Sequence, residues 1–202
     1  MTFDAETRAR LVQAVADAVI AEADALTALD QAIGDGDHGV NMRRGFQAVL
    51  ADLPATSAKP LPEMLKALGM AMVMKVGGAS GPLYGTLFLE LGKALPEQPT
   101  RADAVAALEA AIKGVMARGK SQPGQKTMLD VLVPAHAALA AGADGLRLKQ
   151  VVQAAAEAPV PMQATRGRAS FLGPRSVGHM DPGARSSSLM IATLVDALGV
   201  GA

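Results

Sequence analysis

The sequence predicts an all-α protein, and three observations carry that expectation. Half of the 202 residues are hydrophobic, yet there are only four Phe, one Tyr and no Trp. Alanine, leucine and methionine fill the apolar positions; they are strong helix formers, and β-branched residues seldom run together. Apolar residues recur at a 3–4 spacing through stretches such as "LVQAVADAVIAEADALTAL", and glycine and proline fall between such stretches.

Taken in order, a first helix is expected over about Asp4 to Asp30, closed by the loop "QAIGDGDHG". A second runs from about Gly39 to Leu53 and stops before Pro54, because proline removes a helix hydrogen bond. "ATSAKP" is a loop. A third covers about Leu61 to Val76 and is broken by "GGASGP". The fourth starts near Pro82, a residue tolerated in a first turn, and runs to about Leu95. The fifth spans about Thr100 to Arg118, the sixth Thr127 to Ala140, the seventh Leu146 to Met162, and the eighth Gly183 to Leu198.

The connections alternate between plain and glycine-rich. The rich ones, at residues 30–38, 77–82, 119–126 and 165–183, follow the first, third, fifth and seventh helices. In an up-and-down array, alternate loops emerge at the same end. The four rich loops are therefore expected to meet on one face and form one site.

Bulk properties narrow the partners. Nineteen basic and nineteen acidic residues give zero net charge, which offers no electrostatic case for a nucleic-acid or membrane partner. The absence of cysteine excludes disulfides and thiolate metal sites. The amino terminus lacks a basic-then-apolar signal pattern, and no long apolar run is present. One domain over 1–202 in the cytoplasm is expected.

The chemistry sits in the rich loops. Asp30, Asp35 and Asp37 crowd into eight residues with three glycines and His38. Such a cluster reads either as a turn with Asx-type hydrogen bonds or as a cation site, since close carboxylates repel unless neutralised. The spacing lacks the EF-hand register and its terminal glutamate. If metal binds, Mg2+ with phosphate oxygens suits the donors better than Ca2+. "KVGGASGPLYGT" is neither a Walker A nor a dinucleotide motif. It is a glycine turn into a helix, with backbone N–H groups that suit an anion. "RGKSQPGQKTMLDVLVP" places basic residues before a helix, with Thr127 as a possible cap and Met128 as core or pocket wall. The long segment 164–188 carries Arg166, Arg168, Arg175 and Arg185, which could neutralise phosphates or decorate a mobile loop. His136 lies mid-helix and reads as a core or surface residue.

Together, "AIGDGDHGVNMRRGF", "GGASGPLYGT", "GQKTMLDVLVPA" and "GRASFLGPRSVGHMDPGARSSS" closely resemble the L subunits of phosphotransferase-dependent dihydroxyacetone kinases, and the C-terminal domain of the ATP-dependent enzymes. The resemblance spans nearly the whole chain. It implies an eight-helix antiparallel up-and-down barrel, with tightly bound ADP/ATP at one end and two Mg2+ on Asp30, Asp35 and Asp37. It implies nucleotide contacts from His38, Gly39, Val40, Asn41, Gly78, Ala79, Ser80 and Thr86. Gly119 and Met128 match the adenine side; Arg175 and Asp181, Pro182 and Gly183 match a closing loop. No protein nucleophile is implied. A phosphohistidine donor protein of the phosphotransferase system would recharge the nucleotide, and a K-type subunit would hold dihydroxyacetone, for which 202 residues leave no second domain. A kinase subunit for another keto-sugar such as erythrulose, or a nucleotide-sensing regulator without turnover, is the alternative.

Overall fold

A computed structural model describes residues 2–199. Among these, nine α-helices and one 3-10 helix account for the regular structure, with no strand. They are α1 (Ala5–Ala21), α2 (Ala23–Ile33), α3 (His38–Ser57), α4 (Leu61–Lys75), α5 (Ser80–Ala94), α6 (Arg101–Gly119), α7 (Leu129–Ala140), α8 (Gly145–Glu157) and α9 (Pro182–Leu198). The 3-10 helix covers Arg168–Ser176. No helix among the described residues is long and apolar enough to cross a membrane.

Polar caps set several starts. Asp4 accepts from Thr7, Asp144 from Arg147 and Asp181 from Ala184, each through a backbone N–H. Thr100 and Asp103 form a reciprocal capping box on α6.

Beyond shifts of one or two residues, such as α5 starting at Ser80 and α7 at Leu129, three boundaries differ from the sequence expectation. The single first helix is two, broken at Glu22. No glycine or proline marks this break; it lets α2 lean on α3, α9 and the 3-10 helix. Second, α3 continues through Pro54 to Ser57. Its last turn is held from outside, where Arg8 Nε donates to the Ser57 carbonyl and Leu53 and Ser57 are buried. That anchoring offsets the hydrogen bond proline cannot make. Third, α8 stops at Glu157, ahead of Pro159 and Pro161, and turns cover the residues to Met162.

The helices pack in chain order. α1 lies on α3, each helix from α3 to α8 lies on the next, and α9 packs back on α1. Met42, Met72, Leu26, Leu129 and Tyr84 are fully buried in the core between them. Each buried apolar side chain of this size contributes about 1.5–3 kcal/mol.

The most extensive interface joins α4 and α5. Glycines permit it. A Cβ at Gly69 would stand 2.8 Å from the Gly85 carbonyl, and one at Gly85 would stand 2.9 Å from the Gly69 carbonyl. The two backbones therefore approach closer than any side chain allows. We predict that Gly69→Ala lowers stability by about 1–3 kcal/mol, the cost of overpacking. Urea unfolding should show a lower midpoint with unchanged slope.

Candidate functional site

The residues of α2 and the loop after it decide the arrangement of the acidic cluster. Asp30 is buried near the end of α2. Its Oδ2 accepts the backbone N–H groups of Asp37 at 2.8 Å and His38 at 3.0 Å. One carboxylate oxygen thus caps the start of α3, where the helix dipole favours negative charge. The other, Oδ1, faces Gly34 so closely that any Cβ there would collide with it. Asp30, Asp35 and Asp37 each offer an oxygen within 4.8 Å of the others. Asp35 Oδ2 also pairs with Arg168 Nε at 2.9 Å, which brings the long fourth loop to the cluster.

The glycine turn lies beside the aspartates. Gly78 takes a left-handed φ of 62°, and a Cβ on it would sit 3.5 Å from Asp37 Oδ2. Glycine is needed there for its backbone conformation. The turn leads into α5, whose start no side chain caps. By contrast Asp30 caps α3 and Asp181 caps α9. Of these three helix starts, α5 alone keeps its first backbone N–H groups free of a side-chain cap, which suits an anion.

His38 ties three elements together. Its Nδ1 lies 2.9 Å from Ser80 Oγ, and its Nε2 lies 2.9 Å from Ser186 Oγ. Ser186 spends its hydroxyl hydrogen on the Pro182 carbonyl at 2.8 Å. It therefore accepts from the ring, which assigns the His38 proton to Nε2 and makes Nδ1 the acceptor from Ser80. Burial lowers the His38 pKa, against the raising effect of Asp30 and Asp37. Tyr84 completes the network, with its hydroxyl 2.7 Å from Ser186 Oγ and 3.0 Å from Ser187 Oγ. Burial pushes the Tyr84 pKa up to about 12.

All four rich connections contribute to one cleft of about 390 Å³, within the range of small-molecule sites. Its lining includes Asp30, Asp35, Asp37, His38, Gly78, Ala79, Ser80, Gly119, Met128, Asp181, Pro182 and Gly183. Five residues implied by resemblance lie outside that lining. Gly39 is a packing position, where a Cβ would run into the Ala23 carbonyl of α2. Val40 is exposed on α3. Asn41 Oδ1 is taken by Arg44 at 2.8 Å. The Thr86 hydroxyl donates to the Pro82 carbonyl and accepts from Arg118 Nε. Arg175 is exposed, whereas Arg166 and Arg168 line the cleft. Sequence reasoning missed Tyr84, Arg118, Lys126 and Ser186. The "SSS" run in α9 was a signal for Ser186, since three successive residues sweep more than half of a helix's circumference and one of them must face inward.

Asp181 carries the clearest electrostatic signature. Burial raises its pKa to about 7, with Asp130 and Asp30 adding to the rise and Ala184 N–H and Lys126 opposing it. The folded state thus holds a proton that the unfolded chain releases near the usual aspartate value of about 3.9. Between those values folding takes up a proton, so this group's contribution falls as pH rises from 4 to 7. Asp181→Asn keeps a capping oxygen and removes the titration. We predict that its stability relative to the parent improves between pH 4.5 and pH 8, by on the order of 1–2 kcal/mol once cleft solvent is allowed for. Thermal melts of both proteins across that range are the check.

Comparison with known proteins places this geometry. Residues 32–196 match the DAK2 domain. The ADP-binding subunit DhaL of PEP-dependent dihydroxyacetone kinase 1 from Listeria innocua is 43% identical over 196 residues, covering 96% of this chain and 98% of that protein. The corresponding subunit of Escherichia coli is 42% identical over 183 residues, covering 86% of this chain and 87% of its own. The crystal structure of the dihydroxyacetone kinase from C. freundii in complex with AMP-PNP and Mg2+ superposes with a TM-score of 0.75 at 25% identity. That match covers 93% of this chain and 33% of the larger enzyme. The helical circuit, the acidic cluster and these likenesses lead to one conclusion: the chain belongs to the DAK2 domain family.

Proposed function

We propose that this chain is the ADP/ATP-binding subunit of a phosphotransferase-dependent dihydroxyacetone kinase. The observation that carries the proposal is the meeting, in one cleft, of three crowded carboxylates with the uncapped start of α5. One feature holds metal and the other holds phosphate. Relatives named as ADP-binding subunits, matched over almost their full length, support the reading.

The donor set fits Mg2+, which takes hard oxygen ligands. Asp30 Oδ1, Asp35 and Asp37 are the oxygens that would hold two such ions, while Asp30 Oδ2 stays on the backbone. The bound Mg2+–nucleotide supplies a carried phosphoryl group with its charge neutralised. This chain's residues do the positioning. Gly78, Ala79 and Ser80 present backbone N–H groups to the phosphates, and His38 fixes the Ser80 hydroxyl. Leu83, Gly119, Ser121 and Met128 form the wall for the base. Arg166 and Arg168 line the cleft where Arg175 does not, so phosphate neutralisation falls to them. We read the helical circuit as an eight-helix barrel with the site at one end. The acceptor arrives on a K-type subunit docked over that end, and a phosphohistidine protein recharges ADP. No side chain of this chain serves as a nucleophile; its contribution is alignment and electrostatics.

Two outcomes are expected. Mg2+–ADP at 100 times its dissociation constant should add about 2.7 kcal/mol of stability, raising the melting temperature by roughly 5–10 °C. Asp35→Asn and Asp37→Asn should abolish most of that rise. Without ligand, Asp37→Asn should melt at or above the parent, because it relieves like-charge repulsion. A melting temperature indifferent to Mg2+–ADP would refute the site.

The second expectation is dependence on partners. With ATP and dihydroxyacetone alone, the chain should form no product above background, because in-line transfer needs an acceptor held near the γ-phosphate. Adding the K-type subunit should give a single turnover from preloaded ATP; adding the phosphohistidine donor should make turnover continuous. Leaving out each component in turn reads this directly. Sustained turnover by the chain alone would sink the proposal.

A further inference from the structure

Lys126 is a buried cation whose effect on Asp181 is the only part it has played above. It is 1% exposed. Its backbone adopts a left-handed φ of 63°, one of two such conformations among the described non-glycine residues. Strained backbone of this kind persists where the surroundings hold it. Asp130 holds it from the C-terminal side, accepting the backbone N–H groups of Gly124 and Thr127. The ammonium donates to three backbone carbonyls, Val160 at 3.1 Å, Met162 at 3.0 Å and Ser176 at 2.7 Å. An ammonium has three hydrogens, and all three are used.

Those carbonyls come from the two ends of one segment. Val160 and Met162 lie just after α8, where prolines have ended the helix and left their carbonyls without helical partners. Ser176 ends the 3-10 helix. Two further ties cross the base: Gly178 N–H donates to the Val160 carbonyl at 2.8 Å, and the Ser176 side chain accepts from Ala164 N–H at 2.9 Å while donating to the Gly173 carbonyl at 2.6 Å. Between the ties lie Arg166 and Arg168. Both line the cleft, and Arg168 reaches Asp35.

We propose that Lys126 is a positioning residue: its ammonium closes the base of the 160–176 segment and so presents Arg166 and Arg168 to the cleft already ordered. The lysine touches no phosphate in this role, since its hydrogens are spent on carbonyls. Burial lowers its pKa, and the nearby Asp181 opposes that shift. The gain is preorganisation: arginines held in place need not be ordered when ligand binds. The binding half of this inference rests on the nucleotide reading above; the clamp itself does not.

The chain contains no cysteine, which permits a clean test. Lys126→Cys removes the ammonium. Alkylation with bromoethylamine in urea, followed by refolding, restores an ammonium at nearly the original reach. Wild type taken through the same treatment is the control. Trypsin cleavage after Arg166 and Arg168, followed by mass spectrometry without ligand, reads the clamp. Calorimetry with Mg2+–ADP reads its effect on binding. Lys126→Cys should be cut at those arginines at least about tenfold faster and bind Mg2+–ADP about tenfold more weakly, and alkylation should restore both. In an Arg166→Ala/Arg168→Ala background, the same substitution should change affinity by less than about twofold, because its effect runs through the arginines. Full additivity in that cycle, or an alkylated protein still cut like the cysteine variant, would overturn the proposal. Wild type that ignores Mg2+–ADP while the cleavage pattern holds would overturn the nucleotide reading and leave the clamp standing.

Discussion

Like charges set the terms for this molecule. Three carboxylate oxygens within 4.8 Å of one another are unfavourable in any folded protein unless something opposes them. The fold opposes them in stages. Asp30 is stabilised by two backbone N–H groups and the start of α3. Asp35 meets a guanidinium from the far end of the chain. Asp37 is left beside the glycine turn. All three aspartates line the cleft, so the remaining negative charge is carried there. On the proposed reading, stability is forgone at the cluster in favour of binding, a trade seen at functional sites.

The same cluster was legible because its residues are neighbours in sequence. Spacing alone brought Asp30, Asp35 and Asp37 together, and helical periodicity with breakers located most of the helices. What escaped was set by tertiary contact. The break at Glu22 has no breaker residue, and α3 passes through Pro54 because Arg8, fixed on α1, holds its end. Ser186 joins His38 across 148 residues and Tyr84 across 102, links that no local pattern encodes. Lys126 looked like one more basic residue in a polar loop, and only its burial reveals it. The resemblance to kinase L subunits supplied the nucleotide assignments, which no spacing could. Of those, Gly39 has a packing explanation in the structure, with the Ala23 carbonyl filling the place of a side chain.

The hydrogen-bond chain from Ser80 through His38 to Ser186 and Tyr84 deserves weight as a single unit. It joins the starts of α3, α5 and α9, three helices that come from distant parts of the sequence. His38, Tyr84 and Ser186 are buried and Ser80 is half-buried, so removing one of the first three leaves buried groups unsatisfied at a cost of about 1–3 kcal/mol. Burial lowers the His38 pKa and raises that of Tyr84, which favours the neutral form of both groups in this network.

The glycine contacts between α4 and α5 have one more consequence. Two backbones that touch cannot slide or tilt without collision, so these helices and the turn between them form one stiff wall of the cleft. Another part of the lining comes from the 160–176 segment, which is held by the Lys126 ammonium, a few hydrogen bonds, the Arg168–Asp35 pair and a small apolar cluster of Ile33, Ala164 and Ala169. Rigidity is therefore distributed unevenly around the opening.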